Sequence, residues 1–288
     1  MSESNINTVG IVGAGTMGSG IAELVASSGK NVVLLDIEKD IAKDAVAKIE
    51  KSLGRLARRG KIDDEQVTLI VSSIHPTEDY GDFRGADIVI EAASEDMDLK
   101  KAVFAKIEEN SGEDTIIATN TSTLSVTELA MNTSRPEKVV GMHFFNPAPI
   151  MKLVEVINTA KTSPETLEQT MEFARSLDKY PIMAKDRSGF VVNRILLPMI
   201  NEAIFMLDEG VAAAAEIDNA MKLGANHPIG PLALADLIGL DVTLSVLDVL
   251  YTEYGDPKFR PAPLLKEMVR AGHLGRKTKK GFFEYGRK

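Results

Sequence analysis

The side chains best suited to moving a proton are His143 and Glu155, twelve positions apart. His143 sits in Gly141-Met142-His143-Phe144-Phe145-Asn146-Pro147, at the end of a predicted strand and beside two aromatic rings. Glu155 sits in Lys152-Leu153-Val154-Glu155-Val156-Ile157, where period 2 puts Leu153, Glu155 and Ile157 on one face. A lone histidine among apolar residues is more often a satisfied core side chain than a catalyst. A carboxylate flanked by aliphatic residues is either a buried charge that needs a partner or an edge-strand residue turned to solvent. If the two meet, the carboxylate fixes the imidazole tautomer and raises its proton affinity. The other ring nitrogen then exchanges a proton with a substrate hydroxyl. That is the acid–base half of alcohol–ketone redox. His75, His227 and His273 lie in predicted loops, two of them before proline, and read as surface or capping residues.

The redox half has its own signal. Gly13-Ala14-Gly15-Thr16-Met17-Gly18 is a G-x-G-x-x-G that ends a predicted strand and opens a predicted helix, the context that gives the motif meaning. Gly13 permits the tight turn, Gly15 lets the backbone approach a pyrophosphate, and Gly18 lets helix pack on strand. The N–H groups of the first helical turn, including those of Thr16 and Met17, hold the phosphates. Asp36 ends the next predicted strand, 18 residues after Gly18. A carboxylate there accepts from the ribose hydroxyls and repels a 2′-phosphate, so NAD is favoured over NADP. No arginine stands near Asp36 to hold a 2′-phosphate, although Lys39 does follow. The fold does not name a reaction, since proteins that only sense the cofactor share it.

Two further candidates flank the pair. Asn120-Thr121-Ser122 ends another predicted strand, and the Ser122 hydroxyl is of a kind to bond a reacting oxygen; its competing role is to cap the next short helix. Asn193 begins the first helix of a second domain and reads either as a donor brought from the far side of a cleft or as a surface amide.

These residues need a scaffold. Strands are predicted at Thr8–Gly13, Asn31–Asp36, Leu69–Ile74, Asp87–Glu91, Thr115–Asn120, Lys138–Phe145 and Lys152–Ile157. Helices are predicted at Met17–Ser28, Lys39–Arg59, Leu99–Glu109 and Glu165–Asp178. Alternating buried strands and helices give an α/β, Rossmann-type, doubly wound and mostly parallel sheet. After Ala184 the pattern turns helical, with helices expected at Phe190–Asp208, Ala213–Leu223, Leu232–Tyr254 and Leu264–Ala271 and a strand only in the tail Gly281–Tyr285. The expected division is therefore a dinucleotide-binding domain over 1–186 and a smaller all-helical domain over 187–288, the latter serving substrate binding and dimerisation.

The 288 residues are 44% hydrophobic and 26% charged, an ordinary globular mixture. A net charge of −9 argues against a general nucleic-acid or anionic-membrane binder. The absence of cysteine excludes disulfides, zinc–thiolate sites and a thiol nucleophile. The longest uncharged run, Ser4 to Ala22, holds five glycines and makes a poor membrane span, and the polar start carries no leader pattern. A cytoplasmic enzyme without metal, membrane or nucleic-acid partner is the expectation.

Taken together, the segments VGIVGAGTMGSGIA, ATNTSTLS, GMHFFNPAPIMKLVEV, DRSGFVVNRILLPMINEA, MKLGANHPIGPLALADLIGLD and GRKTKKGFFEY resemble the 3-hydroxyacyl-CoA dehydrogenase family, above all its bacterial short-chain members, along nearly the whole chain. HFFNP and GFVVNR are specific to that family, whereas the glycine motif is shared by many. Thr123 stands where serine is common and Lys279 where a small residue such as glycine is common. The resemblance implies His143 as general acid/base, Glu155 as its partner, and Ser122 and Asn193 at the 3-oxygen and thioester. It places Glu95 and Lys100 along the cofactor groove, and Asn120, Ser122 and Asn146 near the nicotinamide. It implies NAD-dependent interconversion of (S)-3-hydroxybutyryl-CoA and acetoacetyl-CoA, in fatty-acid or butyrate metabolism, by a homodimer.

One feature supports a CoA substrate from the residues themselves. Lys51 to Lys61 carries five basic residues and no acid in an acidic chain. On a helix Lys51, Arg55, Arg58 and Arg59 share one face, and Arg55 and Arg59 are candidate contacts for the CoA phosphates. A solvated basic stripe at a helix C-terminus is the competing reading. Two other functions remain in view: a related two-domain dehydrogenase of hydroxy acids or sugar acids, and a dinucleotide-binding structural or sensor protein without catalysis.

Overall fold

The computed structural model describes residues 5–286, which form two compact units dividing between Asp186 and Arg187. In the first unit the order is β1 (Thr8–Val12), α1 (Thr16–Ser27), β2 (Asn31–Leu35), α2 (Lys39–Arg58), α3 (Asp64–Ser72), β3 (Ile74–Thr77), β4 (Ile88–Glu91), α4 (Met97–Asn110), β5 (Ile116–Thr119), α5 (Val126–Ala130), β6 (Val139–Phe144), β7 (Leu153–Asn158), α6 (Pro164–Ser176) and β8 (Tyr180–Lys185). The strands make one sheet in the order β3-β2-β1-β4-β5-β6-β7-β8. β3 to β6 run parallel, and β7 turns back antiparallel to β6 with β8 parallel to it. The direction of winding reverses between β1 and β4, so ligands belong beyond the carboxyl ends of those strands.

Burial explains the strand compositions. β4, β5 and β6 are buried at every residue, as covered parallel strands require. α2 buries only Ala42, Ala45, Ile49 and Leu53, one stripe of an otherwise charged helix.

The sheet differs from the sequence expectation at its rims. Leu69–Ile74, expected as a strand, lies mostly in α3. Asp63 caps that helix by accepting from the Gln66 N–H at 2.7 Å, while the Gln66 side chain accepts from the Asp63 N–H at 3.0 Å. The reciprocal cap decides a short apolar run whose periodicity is ambiguous. The outer strand begins only at Ile74 and carries Pro76; the other rim, β8, was not expected and carries Pro181. The Val32 and Asp36 N–H groups donate to the Ser73 and Thr77 carbonyls, so by alternation Pro76 faces away from β2. Likewise Tyr180 and Asp186 donate to β7 and its start, and Pro181 faces outward. Proline is tolerated only where no ladder bond is needed.

The second unit is helical: α7 (Val192–Asp208), α8 (Ala214–Gly224), α9 (Pro231–Ile238), α10 (Leu240–Tyr254) and α11 (Pro263–Arg270). Its core gathers Leu197, Ile204, Leu232, Leu247, Leu250 and Phe259. The single helix expected over Leu232–Tyr254 is two, broken at Gly239, whose φ of 106° is closed to other residues. The tail forms isolated bridges rather than a strand. It is tied to buried Asp236, which accepts from the Phe282 and Phe283 N–H groups and the Tyr285 hydroxyl at 2.9–3.0 Å. Lys279 adopts a left-handed φ of 60°, a conformation that favours glycine among small residues. Among the described residues no helix is long and apolar enough to cross a membrane.

Candidate active site

The turn after β1 has the shape a pyrophosphate needs. Gly13 adopts φ 99°, and a Cβ there would lie 2.8 Å from the Ala92 carbonyl oxygen. A Cβ on Gly18 would lie 1.7 Å from the Gly13 carbonyl oxygen, so α1 packs on the turn only with glycine. A Cβ on Gly15 would meet nothing within 4 Å, leaving the space a ligand would fill. α1 has neither a side-chain cap nor an acid in its first turn, which keeps the exposed Thr16 and half-buried Met17 end hospitable to an anion. Asp36 closes the turn: its Oδ2 accepts from the Ala14 N–H at 2.6 Å and its Oδ1 from the Ile37 N–H at 2.8 Å. The turn thus combines the glycine geometry and the closing acid that a dinucleotide cradle requires.

His143 and Glu155 meet. They are register partners across β6 and β7, and Nδ1 lies 2.7 Å from Oε2. The His143 side chain is 8% exposed and that of Glu155 0%, so the pair interacts away from bulk water. Phe145 lies against the imidazole with ring centroids 4.6 Å apart. Asn120 steadies the strand end, its Oδ1 accepting from the Phe144 N–H at 2.9 Å. The C-terminal ends of β5 and β6 are thus joined beside the imidazole.

A second cluster forms at the ends of β4 and β5. Glu95 Oε1 accepts from the Thr121 hydroxyl at 2.7 Å, the Ser122 N–H at 2.8 Å, and the Ser122 and Thr123 hydroxyls at 3.2 Å. Its Oε2 lies 3.4 Å from Lys100 Nζ. Burial pushes the Glu95 carboxyl up, but the Lys100 ammonium and these hydrogen bonds outweigh it and hold its pKa below the usual carboxylate range. Lys100 is buried and also pairs with buried Glu91 at 2.7 Å. Ser122 does not cap the next helix. Ser125 does, and Asp186 reinforces it by accepting from the Ser125 hydroxyl at 3.0 Å and the Thr127 N–H at 2.7 Å. Thr123 keeps the hydroxyl of the serine common at its place, and uses it on Glu95.

A groove of about 380 Å³ runs between α1, α2 and the segment 146–150. Thr16, Lys48, Ser52, Asn146 and Ile150 are among the residues that line it. Arg55 and Arg59 are exposed and continue the helical row of Lys48 and Ser52, whereas Lys51 and Arg58 fall on the next row. Glu23 also lines this groove. Burial raises its pKa, only partly offset by the Ser52 hydrogen bond and the Arg55 charge. Buried Lys179 holds the outer wall, donating to the Ala148 carbonyl at 2.7 Å and the Met151 carbonyl at 2.8 Å.

The first unit therefore brings His143, Glu155 and Asn120 to one place and Ser122, Glu95 and Lys100 to another on the same sheet edge. Arg55 and Arg59 stand apart on α2, and Asn193 is half-buried in the first turn of α7, in the second unit. Sequence reasoning missed Glu91, Lys48 and Lys179. Glu91 had a readable sign, an acid closing an apolar strand as Asp36 does; Lys48 shares a helical row with Ser52 and Arg55. Lys179 had none.

Comparison with known proteins gives the following likenesses. Residues 8–187 match the model for the 3-hydroxyacyl-CoA dehydrogenase NAD binding domain, and residues 189–285 match that for the C-terminal domain of the same enzymes. The chain is 52% identical over 277 residues to a 3-hydroxybutyryl-CoA dehydrogenase of Clostridioides difficile, covering 96% of this chain and 99% of that one. It is 40% identical over 287 residues to the mitochondrial hydroxyacyl-coenzyme A dehydrogenase of Sus scrofa, covering 97% and 91%. The crystal structure of (S)-3-hydroxybutyryl-CoA dehydrogenase from Ralstonia eutropha superposes with a TM-score of 0.95 at 52% identity, covering 98% of this chain and 100% of that one.

Proposed function

Because the chain belongs to the 3-hydroxyacyl-CoA dehydrogenase family in both of its units, we propose that it catalyses the reversible NAD-dependent oxidation of (S)-3-hydroxybutyryl-CoA and related short-chain (S)-3-hydroxyacyl-CoA thioesters to acetoacetyl-CoA and the corresponding 3-ketoacyl-CoA. The observation that carries the mechanism is the buried His143–Glu155 pair at 2.7 Å. With Nδ1 committed to Glu155, the proton of the substrate 3-hydroxyl passes to Nε2. The glutamate stabilises the imidazolium that results and keeps the ring in one tautomer. NAD, when bound, supplies the hydride acceptor. Gly13 to Gly18 and Asp36 hold the cofactor, with Glu95, Lys100, Asn120 and Asn146 along its groove. Ser122 bonds the 3-oxygen, and Asn193 of the second unit is the remaining candidate for the thioester region.

Asp36 supports NAD over NADP, since a 2′-phosphate would meet its carboxylate. The groove bearing Lys48 and Ser52, with Arg55 and Arg59 in the same row, supports CoA phosphates as its occupant. We assign cofactor binding to residues 1–186, and substrate binding and homodimer formation to 187–288. The second unit exposes Ile195 and Leu223, apolar side chains suited to a partner surface.

The test is oxidation of NADH and of NADPH with acetoacetyl-CoA, a longer 3-ketoacyl-CoA and free acetoacetate. Turnover should be fastest with NADH and acetoacetyl-CoA. Preference for the free acid would favour a hydroxy-acid dehydrogenase, and NADH binding without turnover a sensor.

A further inference from the structure

We propose that Glu91 is a positioning residue for Ser122, acting through Lys100 and Glu95 on one side and through Thr119 on the other. It deepens the reaction proposed above, on which it rests. Glu91 ends β4 with its side chain fully buried, and both of its oxygens are committed. Oε1 accepts from Lys100 Nζ and from the Ala93 N–H, each at 2.7 Å, and Oε2 accepts from the Thr119 hydroxyl at 2.6 Å. The Lys100 ammonium is divided among Glu91, the Ala93 carbonyl at 3.2 Å and Glu95 at 3.4 Å.

Each link has a directional consequence. Glu95 stands on the connection after β4 with its side chain 37% exposed, and an acid so placed has many rotamers available. The ammonium at its Oε2 leaves Oε1 facing the turn, where it gathers Thr121, Ser122 and Thr123. From below, the Thr119 hydroxyl that donates to Glu91 accepts from the Thr121 N–H at 3.2 Å. The turn is therefore held at two points, and both lead to one carboxylate. An apolar pair of similar volume would pack α4 against β4 without the desolvation cost of two buried charges. What the ion pair adds is geometry, and that geometry ends at the serine hydroxyl.

The test is Glu91→Gln, which keeps the volume and an acceptor for Thr119 but removes the buried anion from Lys100. Turnover of acetoacetyl-CoA at saturating NADH should fall about 10-fold. In a Ser122→Ala background the same change should cost less than about twofold, because a residue acting through Ser122 has nothing left to position. In the ligand-free protein, amide exchange at Thr121 to Thr123 should quicken about 10-fold with no change in β1 and β2. Equal losses with and without Ser122, or unaltered exchange at the turn, would overturn the proposal. Should Glu91→Gln fail to fold, Thr119→Val removes one hydroxyl only and must show the same pattern at about threefold; its absence there also overturns the proposal. If the protein turned over no 3-ketoacyl-CoA, the reaction would be wrong, and the exchange measurement would still judge Glu91.

Discussion

His143 and Glu155 are direct cross-strand partners, so the backbone ladder between β6 and β7 sets their 2.7 Å contact. Neither side chain has to reach for the other, because the register already places them side by side. Such a pair arrives at the reaction already oriented.

The pair makes the first prediction. His143→Gln should slow turnover of acetoacetyl-CoA by ~10²–10⁴-fold, the usual loss on removing a positioned acid–base group. NADH affinity should hardly change. Glu155→Gln should also lower kcat strongly, since it frees the tautomer and removes the charge that steadies the imidazolium. Full activity in the histidine variant, by steady-state kinetics, would remove it from the mechanism.

Asp36 makes the second. It is bound to the Ala14 N–H of the glycine turn while its position suits a ribose. Asp36→Ala should weaken NADH binding by roughly 10–100-fold, the worth of a charged hydrogen bond of about 1.5–3 kcal/mol. It should weaken NADPH less, because a repulsive charge goes with it. Fluorescence titration with both cofactors measures this, and an unchanged ratio of affinities would count against the assignment.

The basic row on α2 makes the third. The double variant Arg55→Ala, Arg59→Ala should raise KM for acetoacetyl-CoA about 10-fold, leave kcat and NADH affinity near normal, and flatten the dependence of KM on salt. Lys51→Ala, on the neighbouring row, should do little. Equal effects from both rows would mean that only bulk charge matters.

Glu95 makes the fourth. Its folded pKa is depressed below the ordinary value of 4.5, against burial and because of Lys100 and the 121–123 turn. A depressed acid binds fewer protons folded than unfolded, so the stability it contributes is present above that ordinary value and is lost as pH falls through the folded one. Thermal melts between pH 7 and pH 3 should show the wild-type advantage over Glu95→Gln shrinking in acid. Parallel curves would contradict the role of Lys100.

Much of this was readable in the residues, for identifiable reasons. The glycine turn and Asp36 announce themselves because a pyrophosphate demands glycine at fixed offsets; Gly13 takes the positive φ of the tight turn and Gly18 the close helix packing. His143 and Glu155 stood out as polar residues in apolar strands, but their meeting depended on antiparallel register, which no local pattern encodes. Ser122 looked like a helix cap because the serines of this turn are locally alike; Ser125 and Asp186 take that task instead. α3 is ambiguous in the sequence because Leu69, Ile70 and Val71 suit a strand as well as a helix, and only the Asp63–Gln66 cap decides. Glu91 stayed hidden inside DIVIE, where a lone acid reads as a strand end until its three donors are seen.

The outward-facing prolines at the two rims also bear on how the protein behaves among copies of itself. A bare outer strand offers a row of donors and acceptors on which a neighbouring chain can continue the sheet, the first step of aggregation. Pro76 and Pro181 each delete a donor from that row, on opposite flanks. The same residues that blurred both strands in the sequence leave crowded molecules without an uninterrupted template to extend.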